Sequence, residues 1–248
     1  GLRDALVIDI GGTTTDIGVL TAGFPRSRSE GAEIAGIATN FRLPDVLSLG
    51  LGGGSLVGLA PLTIGPGSVG FRLTERARVF GGADLTATDI AVAAGLIRLG
   101  DPALVADLPA ATVQAARAEM HRRVEEALDR MRPSADPVPV ILVGGGAILI
   151  DGALEGAREV LRPDHAGSAN AIGAAIAQVS GEADRVVVLD GITREQARAE
   201  AVAAARNRAI QAGADPASLE VVELEDTPLA YLPGNTTRIR AKVVGDIA

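Results

Sequence analysis

"ALVIDIGGTTTDIGVL", residues 5–20, decides how the rest of the chain is read. Ala5–Ile10 is an apolar run suited to a buried strand, and Ile17–Leu20 is a second. The link from Asp9 to Asp16 holds nothing bulky, only two glycines and three threonines between carboxylates. Adjacent glycines let backbone approach a ligand closely and accept φ > 0. Threonine hydroxyls can donate to phosphate oxygens or to metal-bound water. A carboxylate at a strand end suits hydrated Mg²⁺, which keeps several waters and takes few protein ligands. A plain hairpin with a Gly-Gly turn explains the same residues. On this stretch alone both readings stay open.

Composition narrows the classes. The chain has 248 residues, room for one or two domains, and 47% are apolar, enough for a packed core. Aromatics are only 2%, so that core must be Ala, Val, Leu and Ile. The absence of cysteine excludes disulfides, thiol catalysis and cysteine-bound metal, and fits a reducing cytoplasm. No secretory signal and no apolar run near 18 residues are seen, so no membrane span is expected. A net charge of −8 argues against nucleic acid, whose backbone is held mainly by clustered Lys and Arg. The start at Gly1 reads as a processed or cut chain.

Along the chain, residues 32–73 alternate short apolar runs with Gly and Pro, as short strands joined by tight turns do. "LTATDIAVAAGLIRLGD" predicts a helix with Thr86 and Asp89 as a capping box and Gly100 as its stop. Val113, Ala116, Met120, Val124, Ala127 and Met131 then step along one face of a longer helix. "VPVILVGGGAIL" predicts a buried strand ending in three glycines, and "SANAIGAAIAQVSG" a helix of small side chains. From Arg185 the expected order is strand, helix, strand, strand, with Thr193 and Gln196 as a second capping box and Gly213 as the stop. Ile239, Ala241 and Val243 alternate with Arg238, Arg240 and Lys242, which predicts a half-solvated strand, read as an edge whose charge prevents aggregation. A boundary is expected near Gly181–Asp184.

Three glycine clusters each end an apolar run: "DIGGTTTD" at 9–16, "GLGGGS" at 50–55 and "VGGGA" at 143–147. Converging backbone N–H groups make an anion nest. None of the three fits a Walker A loop or the Rossmann G-x-G-x-x-G.

The first cluster resembles the phosphate-binding hairpin of the superfamily of actin, sugar kinases and heat-shock ATPases. "LVGGGA" is similar to the loop that backs onto adenosine there, and "SANAIGAA" to the close-packed helix after it. The order "DIGGTTTD", "GLGGGSLV", "GPGSVG", "TATD", "VGGGA", "ANAIGAA", with the tail "DGITREQARAEA…PLAYLPGNTTRIRAKVVGD", resembles the hydantoinase/oxoprolinase A family over nearly the whole chain. That resemblance implies an α/β fold: a lobe of the actin-like (ribonuclease H-like) ATPase fold at 1–181 and a small subdomain at 185–248. It implies ATP-dependent opening of a cyclic amide or ureide, such as 5-oxoproline or a hydantoin, through a phosphorylated ring amide. The family carries two such hairpins, one early and one central, and this sequence carries one. The motifs C-terminal to it resemble those C-terminal to the family's central hairpin. The chain therefore resembles the C-terminal half, lacking an N-terminal lobe. Partners implied are that lobe, a cyclic amide substrate and a second hydantoinase subunit, with self-association of the isolated chain. A compact complete member of the superfamily, with residues 50–55 as its other phosphate loop, is the alternative to that half-chain reading. Two rival functions remain: a small-molecule kinase, and a non-catalytic lobe that docks a second subunit.

Carried over residue by residue, the resemblance implies a Mg²⁺-water role for Asp9 and close approach to phosphate at Gly11 and Gly12. Thr13, Thr14 and Thr15 would offer hydroxyls and N–H groups, with Thr13 and Thr15 favoured because alternate side chains share a face. Asp16 would orient hydroxyls or water. Gly52, Gly53, Gly54 and Ser55 would lie near substrate or the γ-phosphate, or form a bend between strands. Gly144, Gly145 and Gly146 would line adenosine of the ATP, or make an ordinary strand-to-helix turn. Asn170 and Gly173 read as packing at least as well as ligand contact. Thr88 and Asp89 are explained by a helix cap. His121 reads as solvent-facing, and His165 as loop-borne near the adenosine segment. No catalytic base is assigned.

Overall fold

Leu6, Ile8 and Ile10 alternate along strand β1 (Ala5–Ile10), and all three are fully buried. They meet Ile17 and Val19 of β2 (Thr15–Thr21), paired antiparallel in the register Asp9↔Asp16. In the computed structural model, residues 2, 4–21, 23–26, 33–34, 37–38, 43–175 and 178–248 are described. Most of the short strands expected over 32–42 lie outside those residues, apart from the two-residue pair β4 (Glu33–Ile34) and β5 (Ile37–Ala38). The chain divides into two compact units, 1–169 and 170–248.

The first unit is built on a mixed sheet. β3 (Phe24–Pro25) and β6 (Val46–Leu49) both pair with β2. A separate hairpin, β7 (Ser55–Leu59) and β8 (Leu62–Ser68), follows. Helices α1 (Leu73–Arg76), α2 (Ala87–Ala93) and α3 (Ala110–Met131) come next. β9 (Val138–Val143) and β10 (Ala157–Leu161) then add to β1 in parallel, giving the order β10-β9-β1-β2-β3. The six α3 positions that step by three and four are all buried, in one core with Ile8, Ile17, Val140 and Leu142. Each large aliphatic side chain removed from water there contributes about 1.5–3 kcal/mol. That stripe closes one face of the sheet.

Two local expectations shift. The Thr86–Asp89 capping box is present, but α2 stops earlier than expected, at Gly95 with φ +73. Gly100 instead packs on Val79, whose carbonyl a Cβ would strike. β10 was not legible as a strand: "AREVL" is mostly exposed and lies at the sheet's edge, so burial imposes no apolar alternation.

A short helix, α4 (Ala169–Ala175), covers only the start of the helix expected over 168–181. In the second unit β11 (Val179–Val188) runs straight through Gly181–Asp184, where a boundary was expected. The reason is packing. α5 (Arg194–Gln211) buries Ala197, Ala201, Ala205 and Ala209 against the sheet, and a Cβ at Gly181 would collide with the backbone of Ala205 and Ala209. Both elements are small-residued because they touch.

β12 (Glu220–Pro228) and β11 flank β13 (Thr236–Gly245) antiparallel to it. They are thus parallel to each other, with α5 as the crossover, a split β-α-β unit. Ile239, Ala241 and Val243 face α5 as the alternation requires. β13 is however the central strand, not an edge. Arg238 and Arg240 both reach Asp184 on β11, at 2.6 and 3.0 Å, and Lys242 reaches Glu182 at 3.0 Å. The basic row is neutralised across strands rather than left as an edge guard.

Candidate functional site

Gly11 N–H donates to Thr14 O at 2.8 Å and closes the turn between β1 and β2. Gly12, Thr13 and Thr14 stand exposed at its tip, and among the described residues nothing accepts their N–H groups. Successive unpaired N–H groups on a tight loop form an anion-binding concavity. Below the tip, Asp9 and Asp16 are direct cross-strand partners and so share a sheet face. Like charges directly opposite destabilise a sheet, and a cation between them removes that cost. Ser48 Oγ donates to Asp16 at 2.5 Å and Thr14 Oγ1 at 3.4 Å. The set is all hard oxygen, which suits Mg²⁺. Among the described residues no cluster of three or more Asp, Glu, His or Cys could hold a metal unaided. Any Mg²⁺ here would need oxygens from phosphate and water as well.

Thr15 is a correction. Alternation pairs it with Thr13, but Thr13 lies outside the strand, and Thr15 is fully buried with its hydroxyl donating to Leu51 O at 2.7 Å. It holds the hairpin to the next loop.

That loop, Gly52–Ser55, is likewise used by the fold. Gly53 N–H donates to Gly11 O at 3.0 Å and Gly54 N–H to Gly12 O at 2.7 Å. Ser55 is fully buried, and its Oγ accepts from Gly52 N–H at 2.8 Å. A Cβ at Gly52 would lie 2.6 Å from Thr13 N and 2.7 Å from Gly11 O. The glycines are present because two backbones touch, and the donors expected to meet a γ-phosphate meet carbonyls instead. Thr88 completes the brace, donating N–H and Oγ1 to Gly53 O, each at 2.9 Å. Asp89 is fully buried and accepts from Thr86 N–H at 2.7 Å and Val79 N–H at 2.8 Å. The "TATD" segment thus clamps α2 under the glycine loop.

The third cluster abuts the first. Gly144 has φ +91, and a Cβ there would strike Ile10 O and the Asp9 carboxylate. Gly146 N–H donates to Ile10 O at 2.7 Å. Gly145 is exposed. Beside Gly144 and Gly145 opens a cavity of about 430 Å³, within the usual range for small-molecule sites. Leu96, Leu142, Ile148 and Ile150 supply its apolar wall, and Asp151 and Arg162 its charged side chains. His165 sits in a left-handed turn next to Ala166, whose carbonyl accepts from Gly144 N–H at 2.9 Å.

Sequence reasoning missed Asp151. Arg117 donates to its Oδ2 at 2.5 Å, and that guanidinium holds the carboxyl below the usual carboxylate range. His121 is not solvent-facing as expected: its Nε2 lies 3.2 Å from Asp151 N and 3.3 Å from Oδ1. The i, i+4 spacing of Arg117 and His121 on α3 was visible, but only tertiary contact shows what they reach. Gly173 is exposed, and among the described residues nothing lies near the place of its missing Cβ.

The family model that matches is Hydantoinase/oxoprolinase, over residues 1–103. Among curated proteins none matches. A solved nucleotide-free structure of acetone carboxylase, from work on ATP-dependent acetone carboxylation, superposes with a TM-score of 0.64 at 18% identity. It covers 99% of this chain, and this chain spans 47% of that one. The ethanolamine utilization protein EutJ from Carboxydothermus hydrogenoformans superposes at a TM-score of only 0.29 and 16% identity, over 68% of this chain and 47% of that one. No helix among the described residues is long and apolar enough to cross a membrane. The fold is the α/β fold of the matched acetone carboxylase structure, and residues 1–103, which carry the Gly11–Thr14 hairpin turn and the glycine loop that braces it, are similar to the hydantoinase/oxoprolinase family.

Proposed function

We propose that the chain is the nucleotide-holding part of an ATP-dependent enzyme that opens a cyclic amide or ureide of the hydantoin or 5-oxoproline type. One observation carries this reading: the exposed tip Gly12–Thr14 and the cavity at Gly144–Gly145 both stand on the C-terminal end of β1 and β9, bonded to each other through Ile10. In this reading the tip takes the phosphates and the cavity the nucleoside. Mg²⁺ with ATP would supply charge neutralisation at the phosphates, with Asp9 and Asp16 as its protein carboxylates. The phosphoryl group passes from ATP to the ring amide oxygen, giving ADP. One water would then add at that ring carbon and the ring C–N bond would break, the nitrogen taking up the protons to leave as amine; a second water would release phosphate from the acyl phosphate so formed, leaving the carboxylate. This chain's share is to position and to stabilise charge.

The matched structure is twice as long, so part of the cleft would come from elsewhere in the parent enzyme. The chain alone should then bind ATP·Mg weakly, near millimolar, about −4 kcal/mol, with negligible turnover. Calorimetric titration tests this. Micromolar ATP with robust phosphate release would instead favour a compact enzyme complete in this chain.

A further inference from the structure

Among the described residues lining the cavity beside Gly144–Gly145, Asp151 is the one whose side chain carries a hydrogen-bond acceptor. Arg162, the other charged side chain in the lining, is a donor already turned to Ile150 O at 2.9 Å. We infer that Asp151 accepts the ribose hydroxyls of the bound nucleotide and so makes the site select ribonucleotides over deoxyribonucleotides. This rests on the nucleotide reading of the cavity and adds the group that discriminates.

The carboxylate is built for the task rather than merely nearby. Two side chains one turn apart on α3 fix it: Arg117 holds Oδ2 at 2.5 Å, and His121 Nε2 receives the Asp151 N–H at 3.2 Å. A carboxylate offers about four lone-pair sites. The clamp occupies one or two, so acceptor capacity remains for a vicinal diol. The aliphatic wall of Leu96, Ile148 and Ile150 suits the face of a base and offers nothing to a hydroxyl. In dinucleotide folds too, an acidic side chain reads the ribose 2′-hydroxyl. A site built to hydrogen-bond a hydroxyl rejects the analogue that lacks it, because the polar group is left unpaired.

The test is calorimetric titration of the full chain with ATP·Mg, 2′-deoxy-ATP·Mg and inosine triphosphate·Mg, in the wild type, Asp151→Ala and Asp151→Asn. The wild type should bind ATP about tenfold more tightly than 2′-deoxy-ATP. Asp151→Ala should bring that ratio near one by weakening ATP alone. Asp151→Asn, which keeps the shape and one acceptor, should fall between, and it carries the test if the alanine variant does not fold. The ATP to inosine triphosphate ratio should not move in any variant. An unchanged ribo-to-deoxy ratio in the variants, or a shift that tracks the base instead of the sugar, overturns the assignment while leaving nucleotide binding standing. No binding of any of the three by the wild type at millimolar concentration refutes the nucleotide reading, and the inference with it.

Discussion

Two glycines that look alike in sequence should fail in opposite ways. Gly12 is exposed at the hairpin tip, its φ lies outside the left-handed region, and a Cβ there meets nothing within 4 Å among the described residues. Gly12→Val should therefore change stability by no more than about 0.5 kcal/mol, as for an ordinary surface site, or about 1–2 °C in Tm for a chain of this size. Its branched side chain would occupy the space where phosphate meets the free N–H groups. Each charge-assisted hydrogen bond lost costs about 1.5–3 kcal/mol, so ATP·Mg should bind roughly ten- to a hundredfold more weakly. Gly52 is buried, and a Cβ there would lie 2.6 Å from Thr13 N and 2.7 Å from Gly11 O, neither of which is the end of a flexible side chain. Gly52→Ala should cost about 1–3 kcal/mol as overpacking, or about 2–12 °C. Differential scanning calorimetry with and without ATP·Mg reads both. If Gly12→Val melts as early as Gly52→Ala, the tip is structural. If Gly12→Val binds ATP like the wild type, the phosphate does not sit there.

Gly181→Val should unfold the second unit selectively, because its Cβ would strike the backbone of α5 at Ala205 and Ala209; amide exchange resolved by segment would show loss of protection in 179–245 and not in β1 or β9. Asp89→Ala removes the capping box and strands the buried Val79 N–H, which should cost about 2–4 kcal/mol, read from denaturant midpoints, with α2 itself the first segment to exchange. Asp184 is held below its ordinary pKa by hydrogen bonds from Arg238 and then Arg240. Its stabilising contribution is full above the unfolded value near 3.9 and is lost as pH falls through the lower folded value. Acid unfolding of the second unit below about pH 4 should flatten in Asp184→Asn, and a slope unchanged by that substitution would show the pair to be idle.

Wherever a local rule suffices, the chain could be read directly. The apolar run of Ala5–Ile10, the alternation in Thr236–Gly245, the 3.6-residue stripe of α3, and the Thr-x-x-Asp and Thr-x-x-Gln capping boxes each depend on residues within a turn or two, so local pattern alone determined them. The order of three glycine-ended strands likewise pointed to the region where we propose the nucleotide site, although the second cluster braces the fold. What glycine is for at each place could not be read this way. Gly12, Gly52 and Gly144 are chemically identical, and only the backbone brought against each decides whether the missing Cβ leaves room for a ligand, for Gly11 or for Asp9. Thr15 turned inward because Leu51 O stands beneath it, thirty-six residues away in sequence. β13 became central because β11 and β12 pair on either side, a non-local choice that also converts its basic row from edge guard to ion-pair partner. Asp151 carried no motif at all. Its position is fixed by Arg117 and His121 reaching it from α3, and such contacts between distant segments exist only once the chain is folded.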